Sequence, residues 1–366
     1  MINIAFYCSD IRVLAGTERS SLTVANELSK LDNFKVFIIS NQGEKNESKM
    51  TINSNIEVYN LRFVNRGLQY FSNILKINKF VKKNKIDVFV SVEMISVFFT
   101  LPALMINRNV KYIAWEHFNY TTNLGVRLRN WCRAAAAKFA DGIVVLTQKD
   151  VQLWESNLKI SGIICNINNP SPFDISENLY DNDSMQIIAI GRLVEQKGFD
   201  RLIDIWGEMN LRKLIPTGWK LQIIGSGPDQ ELLFSQAEKY KLGNLIEFIS
   251  NTDSIKSYYE KASFLAMTSR FEGLPMTLIE AQSYGLPIIA YDCLTGPAEV
   301  ISDKSGILIK DNGCEEFIEG LIALMGDLYL RQQMGKQAKI EAERFSPDQI
   351  REKWRKFILE LHNNNF

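Results

Sequence analysis

Two glutamates separated by seven residues, Glu272 and Glu280, stand in the stretch Ser269 to Pro287, SRFEGLPMTLIEAQSYGLP. Carboxylates accept hydrogen bonds from hydroxyl groups, so the surroundings of this pair decide what it can bind. The apolar run SFLAMT before it (Ser263 to Thr268) reads as a buried strand. Gly273 and Pro275 shape a turn, and Thr277 to Gln282 carries helix formers until Gly285 and Pro287 stop them. The segment is therefore a loop turning into a helix. Free backbone N–H groups at such a start, together with the positive end of the helix dipole, favour a phosphate. Gly273, Leu274, Pro275 and Met276 form this anion-facing turn, and Glu280, one helical turn further, is placed to accept from a vicinal diol. A reading without any ligand also exists, because Thr277-x-x-Glu280 fits a capping box.

A second segment about eighty residues earlier supplies cations. Ile187 to Trp206 reads IIAIGRLVEQKGFDRLIDIW: a buried strand, Gly191-Arg192 at its end, and Lys197-Gly198 before a helix. The apolar positions Phe199, Leu202, Ile203, Ile205 and Trp206 repeat at helical spacing. In an open α/β sheet, ligands sit outside the carboxyl ends of the strands, where both loops would emerge. A diphosphate fits between them, since charge-assisted hydrogen bonds from Arg192 and Lys197 are worth roughly 1.5–3 kcal/mol each.

Taken together, GRLVEQKGFDRLI and SRFEGLPMTLIEAQSYGLP resemble the retaining, nucleotide-sugar-dependent glycosyltransferases of family 4, which have the GT-B fold. LAGTERS (Leu14 to Ser20) adds a match to that family's Gly-rich loop after the first strand. YDCLTGPAEVI (Tyr291 to Ile301) resembles bacterial lipopolysaccharide, capsule and protein-glycan members more than sucrose or glycogen enzymes. The resemblance implies an α/β protein of two Rossmann-like domains facing across a cleft. It implies transfer of a hexose or N-acetylhexosamine, with retention, from a nucleotide-sugar expected to be UDP-linked. The acceptor is expected to be a growing bacterial surface glycan: lipopolysaccharide, O-antigen, capsule or a lipid-linked oligosaccharide.

Roles follow residue by residue. Arg192, Lys197 and the Glu272-loop amides hold the leaving diphosphate, Glu272 the sugar hydroxyls and Glu280 the ribose. From the other domain, Gly16 lets backbone approach the donor, with Thr17 beside it; Thr17 as a plain helix N-cap is the competing reading. His117 follows the strand KYIAWE, and Glu116-His117 resembles the pattern by which family members contact the transferred sugar. Glu93, after DVFVSV, is an acceptor-side candidate. No Asp-x-Asp stands at a strand end to chelate a metal, Asp181-Asn182-Asp183 falling in a linker, and two cations already serve the diphosphate. Neither metal nor cofactor is expected. Two other readings are a sugar-nucleotide epimerase or hydrolase on the same scaffold, and a catalytically inactive glycan-binding partner.

The elements that must position these residues alternate strand and helix twice. Strands are expected over Ile2–Cys8, Lys35–Ser40, Ile56–Asn60, Asp87–Val92, Lys111–Trp115 and Gly142–Leu146. Helices are expected over Glu18–Lys30, Leu68–Lys83, Ile95–Ile106, Gly125–Phe139 and Lys149–Asn157. After a polar stretch come strands over Gln186–Ile190, Lys220–Ile224, Ile246–Phe248, Phe264–Thr268, Ile288–Tyr291 and Gly306–Ile309. The expected domains are 1–168 for the acceptor and 184–345 for the nucleotide-sugar, joined by a linker at 169–183. A final helix over 346–366 is expected to pack back on the first domain. A dinucleotide fold fails on its fingerprint: CSDIRVLAGTER lacks Gly-x-Gly-x-x-Gly, and Gly225-Ser226-Gly227-Pro228 lacks the third glycine.

Composition agrees. The chain of 366 residues suits two domains, and 46% hydrophobic residues can fill two cores. Five cysteines without a Cys-x-x-Cys pair, and an apolar strand directly after Met1, are expected of a cytoplasmic protein with reduced thiols and no leader. Net charge is zero, yet residues 1–175 carry 21 Lys+Arg against 14 Asp+Glu, and the remainder 21 against 28. Arg62 to Lys85 holds seven cations and no acid, with Leu68, Phe71, Ile74, Leu75, Ile77 and Phe80 at helical spacing. Such a helix suits an anionic inner-membrane surface, or is a solvated basic face. Nucleic acid is not expected, given the neutral chain and the lack of a binding motif.

Overall fold

The computed structural model describes residues 1–13, 15–62, 69–105, 107, 109–177, 184–252 and 254–363. It divides into two compact units, Met1–Pro172 with Ser346–Phe366, and Phe173–Phe345.

In the first unit the order is β1 (Ile2–Asp10), α1 (Gly16–Leu28), β2 (Phe34–Gln42), β3 (Glu57–Asn60), α2 (Gln69–Lys83), β4 (Val88–Val92) and α3 (Val97–Met105). It continues with β5 (Lys111–Trp115), α4 (Leu128–Phe139), β6 (Gly142–Val145), α5 (Gln148–Asn157) and β7 (Ile163–Asn166). The second unit runs β8 (Gln186–Ile190), α6 (Phe199–Leu211), β9 (Lys220–Ile224), α7 (Gln230–Lys239), β10 (Ile246–Ile249), α8 (Ile255–Lys261) and β11 (Phe264–Met267). Then follow α9 (Met276–Ser283), β12 (Ile288–Asp292), α10 (Pro297–Val300), β13 (Gly306–Lys310), α11 (Cys314–Gly326) and α12 (Leu328–Ala342). The last helix, α13 (Pro347–Asn363), belongs to the first unit.

Among the described residues, the first sheet has order β3-β2-β1-β4-β5-β6-β7 and the second β10-β9-β8-β11-β12-β13. All pairings are parallel. Sequence explains why. Runs such as VFVSV and FLAM are buried throughout, as strands covered by helices on both faces must be. The molecule is thus α/β with two Rossmann-like domains. Each sheet reverses its strand order once, between β1 and β4 in the first unit and between β8 and β11 in the second. Loops that leave the carboxyl ends of those strand pairs flank the usual ligand crevice of such sheets.

Each unit has its own core. In the first, Phe80, Leu101, Ala136 and Trp154 from α2, α3, α4 and α5 pack on Tyr7, Phe89, Tyr112 and Ile143 of the sheet. On α13, Trp354 packs its ring 4.7 Å from Trp115 and 6.2 Å from Phe6. In the second, Trp206, Phe264, Phe317 and Leu321 are among the central residues. Cys8, Cys132 and Cys293 are buried free thiols.

Two sequence expectations change. β7 was not foreseen: it is a four-residue edge strand in which only Ile163, Ile164 and Cys165 are apolar, too short for periodicity to mark it. α4 begins at Leu128 rather than Gly125, because Leu124 and Gly125 adopt φ of +53° and +76° and turn the chain first. Leu14, Arg66, Leu68, Ile106 and Asp181-Asn182-Asp183 lie outside the described residues. No helix among the described residues is long and apolar enough to cross a membrane.

Candidate active site

In the second unit, the loop after β8 (residues 191–198) and the loop after β11 (residues 268–275) are tied together. Gly198 adopts φ +64°, and a Cβ there would collide with the Thr268 carbonyl oxygen. That proximity lets Thr268 Oγ1 donate to the Gly198 carbonyl at 2.7 Å. Arg270 N donates to Gln196 O (2.8 Å), and Gln196 Nε2 returns to Phe271 O (3.0 Å). The Arg270 guanidinium grips both oxygens of Asp200 at 2.7 and 2.6 Å, holding the Asp200 carboxyl below its ordinary range.

Within this frame Lys197 Nζ donates to Glu272 Oε1 at 2.7 Å, and Ser269 Oγ donates to the same oxygen at 2.7 Å. Glu272 is buried, and its backbone carbonyl accepts from Thr295 Oγ1 at 2.5 Å. Arg192 is exposed and makes no ion pair among the described residues. Gly273, Leu274 and Pro275 lead into α9, whose first residue is Met276. Pro275 holds the N-cap position with no side-chain cap, so the capping box read from Thr277 and Glu280 does not form. Glu280 instead accepts from Tyr259 Oη of α8 at 2.6 Å. Arg192, Lys197, Glu272 and the Gly273–Met276 turn therefore share one end of the second sheet, with Glu280 one turn into α9.

The first unit collects its own polar cluster at strand ends. Gly16 opens α1 after β1; Ala15 is the N-cap, so Thr17 lies in the first turn and does not cap. Around Gly16 an added Cβ would meet no atom within 4 Å. Glu93, after β4, has φ +71°, a conformation that is costly for a residue with a Cβ and tends to gather at functional sites. Its carboxylate meets the Arg129 guanidinium of α4, while burial raises its pKa. Glu116 is fully buried; its Oε2 accepts from Arg133 Nε at 2.9 Å, and its Oε1 from the amides of His117 and Phe118 at 3.0 and 3.1 Å. Arg133 also donates to the carbonyls of Asn119, Tyr120 and Thr122, fixing the loop that carries His117.

His117 is 7% exposed, lies 4.6 Å from the Trp115 ring, and its Nε2 has no partner among the described residues. Burial, reinforced by the Arg129 charge, pushes its pKa down to about 3, so the imidazole is neutral at physiological pH. Asp150 of α5 accepts from Tyr120 N at 2.7 Å, and burial pushes its pKa up to about 7.

Arg129, Arg133 and Asp150 were not singled out in the sequence. The two arginines four residues apart on a helix look like a solvated stripe. The available signal was that no acid falls in the helix around them. Ser269 and Thr295 lie inside SRFEGLPMTLIEAQSYGLP and YDCLTGPAEVI, where spacing alone does not distinguish them from their neighbours.

Residues 171–341 match the family model described as glycosyl transferases group 1, and residues 14–169 that of glycosyltransferase family 4. An uncharacterised glycosyltransferase of Haemophilus influenzae is 33% identical over 97% of this chain and 99% of its own length. The amylovoran biosynthesis glycosyltransferase AmsD of Erwinia amylovora is 32% identical over 93% and 94%. The chain belongs to the family 4 glycosyltransferases. A Campylobacter jejuni relative of this glycosyltransferase, 26% identical over 99% of the chain and 100% of its own length, is an α-1,4-N-acetyl-D-galactosaminyltransferase acting on a diphospho-undecaprenol-linked saccharide. The solved structure of Anabaena HepE with UDP-glucose superposes with a TM-score of 0.79 at 16% identity, covering 98% of this chain and 100% of that one, which shows the shared fold. The two parallel-sheet domains of this glycosyltransferase are those of the GT-B fold.

Proposed function

We propose that this glycosyltransferase transfers a hexose or N-acetylhexosamine from a UDP-sugar to a growing bacterial surface glycan carried on a lipid. The observation that carries this reading is the locked pair of loops presenting Arg192 and Lys197 around Glu272 at the switch point of the second sheet. Relatives named for amylovoran and for an undecaprenol-linked acceptor support the glycan class, and the UDP-glucose complex of HepE supports the donor class.

Breaking the anomeric carbon–phosphate bond puts positive charge on the sugar ring and negative charge on the departing diphosphate. Arg192, Lys197 and the amides of Gly273, Leu274 and Met276 receive the latter, while Pro275 sets the turn. Such preorganised donors are the largest kind of catalytic contribution available. With that positive charge in place, the reaction is proposed to need neither metal nor cofactor. Glu272 hydrogen-bonds sugar hydroxyls, and Glu280, oriented by Tyr259, takes the ribose hydroxyls. Of the first unit, Gly16 and Thr17 are proposed for donor binding, and the neutral His117, with its unpartnered Nε2, for the transferred sugar. Glu93 faces the acceptor. Retention follows if the acceptor hydroxyl attacks from the face the diphosphate leaves, giving its proton to a phosphate oxygen.

The test is a screen of nucleotide-sugars for thermal stabilisation, followed by transfer to lipid-linked saccharides with the best donor. Transfer with the new bond in the donor's anomeric configuration is expected. Donor turnover without acceptor would favour a hydrolase or epimerase, and no donor binding at all would favour a glycan-binding partner.

A further inference from the structure

We propose that the outer layer formed by α2, α3 and α4 docks on a lipid bilayer carrying anionic headgroups. The three helices lie side by side and cover one face of the seven-stranded sheet. Ile77 and Phe80, Leu101, and Ala136 turn inward from the three helices in order, so their opposite flanks face away from the sheet on one side of the unit.

Charge on the three helices themselves has one sign. From Arg62 to Ala140 the sequence holds thirteen Lys and Arg and three acids. None of those acids lies on a helix. Asp87 precedes β4 and accepts from Asn3 N at 2.8 Å, while Glu93 and Glu116 are held by the buried Arg129 and Arg133. Lys76, Lys79, Lys82, Lys83 and Lys138 make no ion pair among the described residues. A solvated helix face ordinarily mixes both signs.

Large apolar side chains are interleaved with these cations. Trp131 is 79% exposed, Phe71 66%, Leu75 65% and Met105 56%, whereas Trp115, Trp154, Trp206, Trp219 and Trp354 are at most 5% exposed. A tryptophan left outside on a surface that has spent its other five inside is poorly suited to water and well suited to the headgroup layer of a bilayer. Between the carboxyl-terminal ends of α3 and α4, a cavity of about 360 Å³ is lined by Leu104, Met105 and Phe139 and equally by the polar side chains of Asn107, Tyr112 and Asp141, a mixed lining that suits the headgroup level. Cations close to an anionic surface contribute attraction that salt weakens, and apolar side chains supply the part that salt does not. The proposal deepens the reading of a lipid-linked acceptor but does not depend on the donor-site roles, because its test contains no nucleotide-sugar.

The full chain is mixed with phosphatidylcholine vesicles, with or without phosphatidylglycerol, bearing brominated acyl chains that quench nearby tryptophan. Quenching is expected with the anionic vesicles, less at high salt, and Trp131→Phe should abolish it. Replacing Lys76, Lys79, Lys82 and Lys83 together with Ser should weaken co-sedimentation with anionic vesicles at least about tenfold, given about fivefold per exposed cation. Matching melting curves establish that each variant is folded, and the lysine variant stands on its own if Trp131→Phe does not fold. Equal binding to neutral and anionic vesicles, no binding to either, or a dimer that covers Trp131 and excludes vesicles would overturn the proposal.

Discussion

Lys197 Nζ stands 2.7 Å from Glu272 Oε1 although the two are 75 positions apart in sequence. The cation proposed for the diphosphate and the carboxylate proposed for the sugar thus preset each other before any ligand arrives. Ser269 shares the same oxygen, so the acid keeps one anchor independent of Lys197.

Glu272→Gln separates the two roles. A glutamine keeps the shape and removes the charge that draws on Lys197. Free UDP should bind within about threefold of wild type, while transfer falls by about 10- to 150-fold, the value of one hydrogen bond to a charged group. Calorimetry with UDP and a transfer assay decide it; equal losses in both would place Glu272 on the nucleotide.

Glu280→Gln should act on the nucleotide itself. Its carboxylate is buried and already accepts from Tyr259 Oη at 2.6 Å, an arrangement that points the other acceptor positions in a fixed direction. UDP and UDP-sugar affinity should fall together, about tenfold, and Tyr259→Phe should show a smaller loss in the same direction. A lower melting temperature with unchanged UDP affinity would leave Glu280 a structural residue.

The hinge between the loops is equally exposed to test. Gly198 has φ +64° and no room for a Cβ beside the Thr268 carbonyl. Gly198→Ala should lose about 1–2 kcal/mol from the left-handed backbone alone, lowering the melting of the second unit by several degrees. UDP binding should weaken as well, because Lys197 precedes it directly. A variant with unchanged melting and affinity would show that the loops are not held together here.

Alternating β and α segments made both sheets legible in the sequence, since buried parallel strands are short apolar runs and covering helices keep a 3.6-residue period. The edge strand at Ile163–Asn166 escaped because an edge pairs on one side only and its four residues carry no pattern. At the site, loop positions were readable from Gly and Pro punctuation. The contacts were not: nothing in local spacing says that Lys197 reaches Glu272, or that Arg129 and Arg133 turn inward to Glu93 and Glu116. Those facts depend on which strands neighbour each other, which is set by the whole sheet.

Asp150 gives the first unit a pH signature. The folded state keeps its proton up to about pH 7, whereas the ordinary carboxyl releases it near 3.8. Stability from this group is therefore complete at pH below about 4 and is lost as pH rises through 7. Asp150→Asn retains an acceptor for Tyr120 N without the charge. Wild type and variant should melt alike near pH 4, and the variant should melt higher by several degrees at pH 8. A variant that is no more stable at pH 8 would mean that the buried carboxylate is compensated by Arg133.

The most direct test of the donor-site account is the affinity for free UDP, measured by titration calorimetry on wild type, Lys197→Ala and Arg192→Ala. Arg192 is exposed, so its removal should leave the fold unchanged, and Glu272 keeps Ser269 when Lys197 is lost. The account predicts binding to the wild type and a weakening of about tenfold or more in each variant, from the charge-assisted hydrogen bonds removed. UDP affinity equal to wild type in both variants would contradict it.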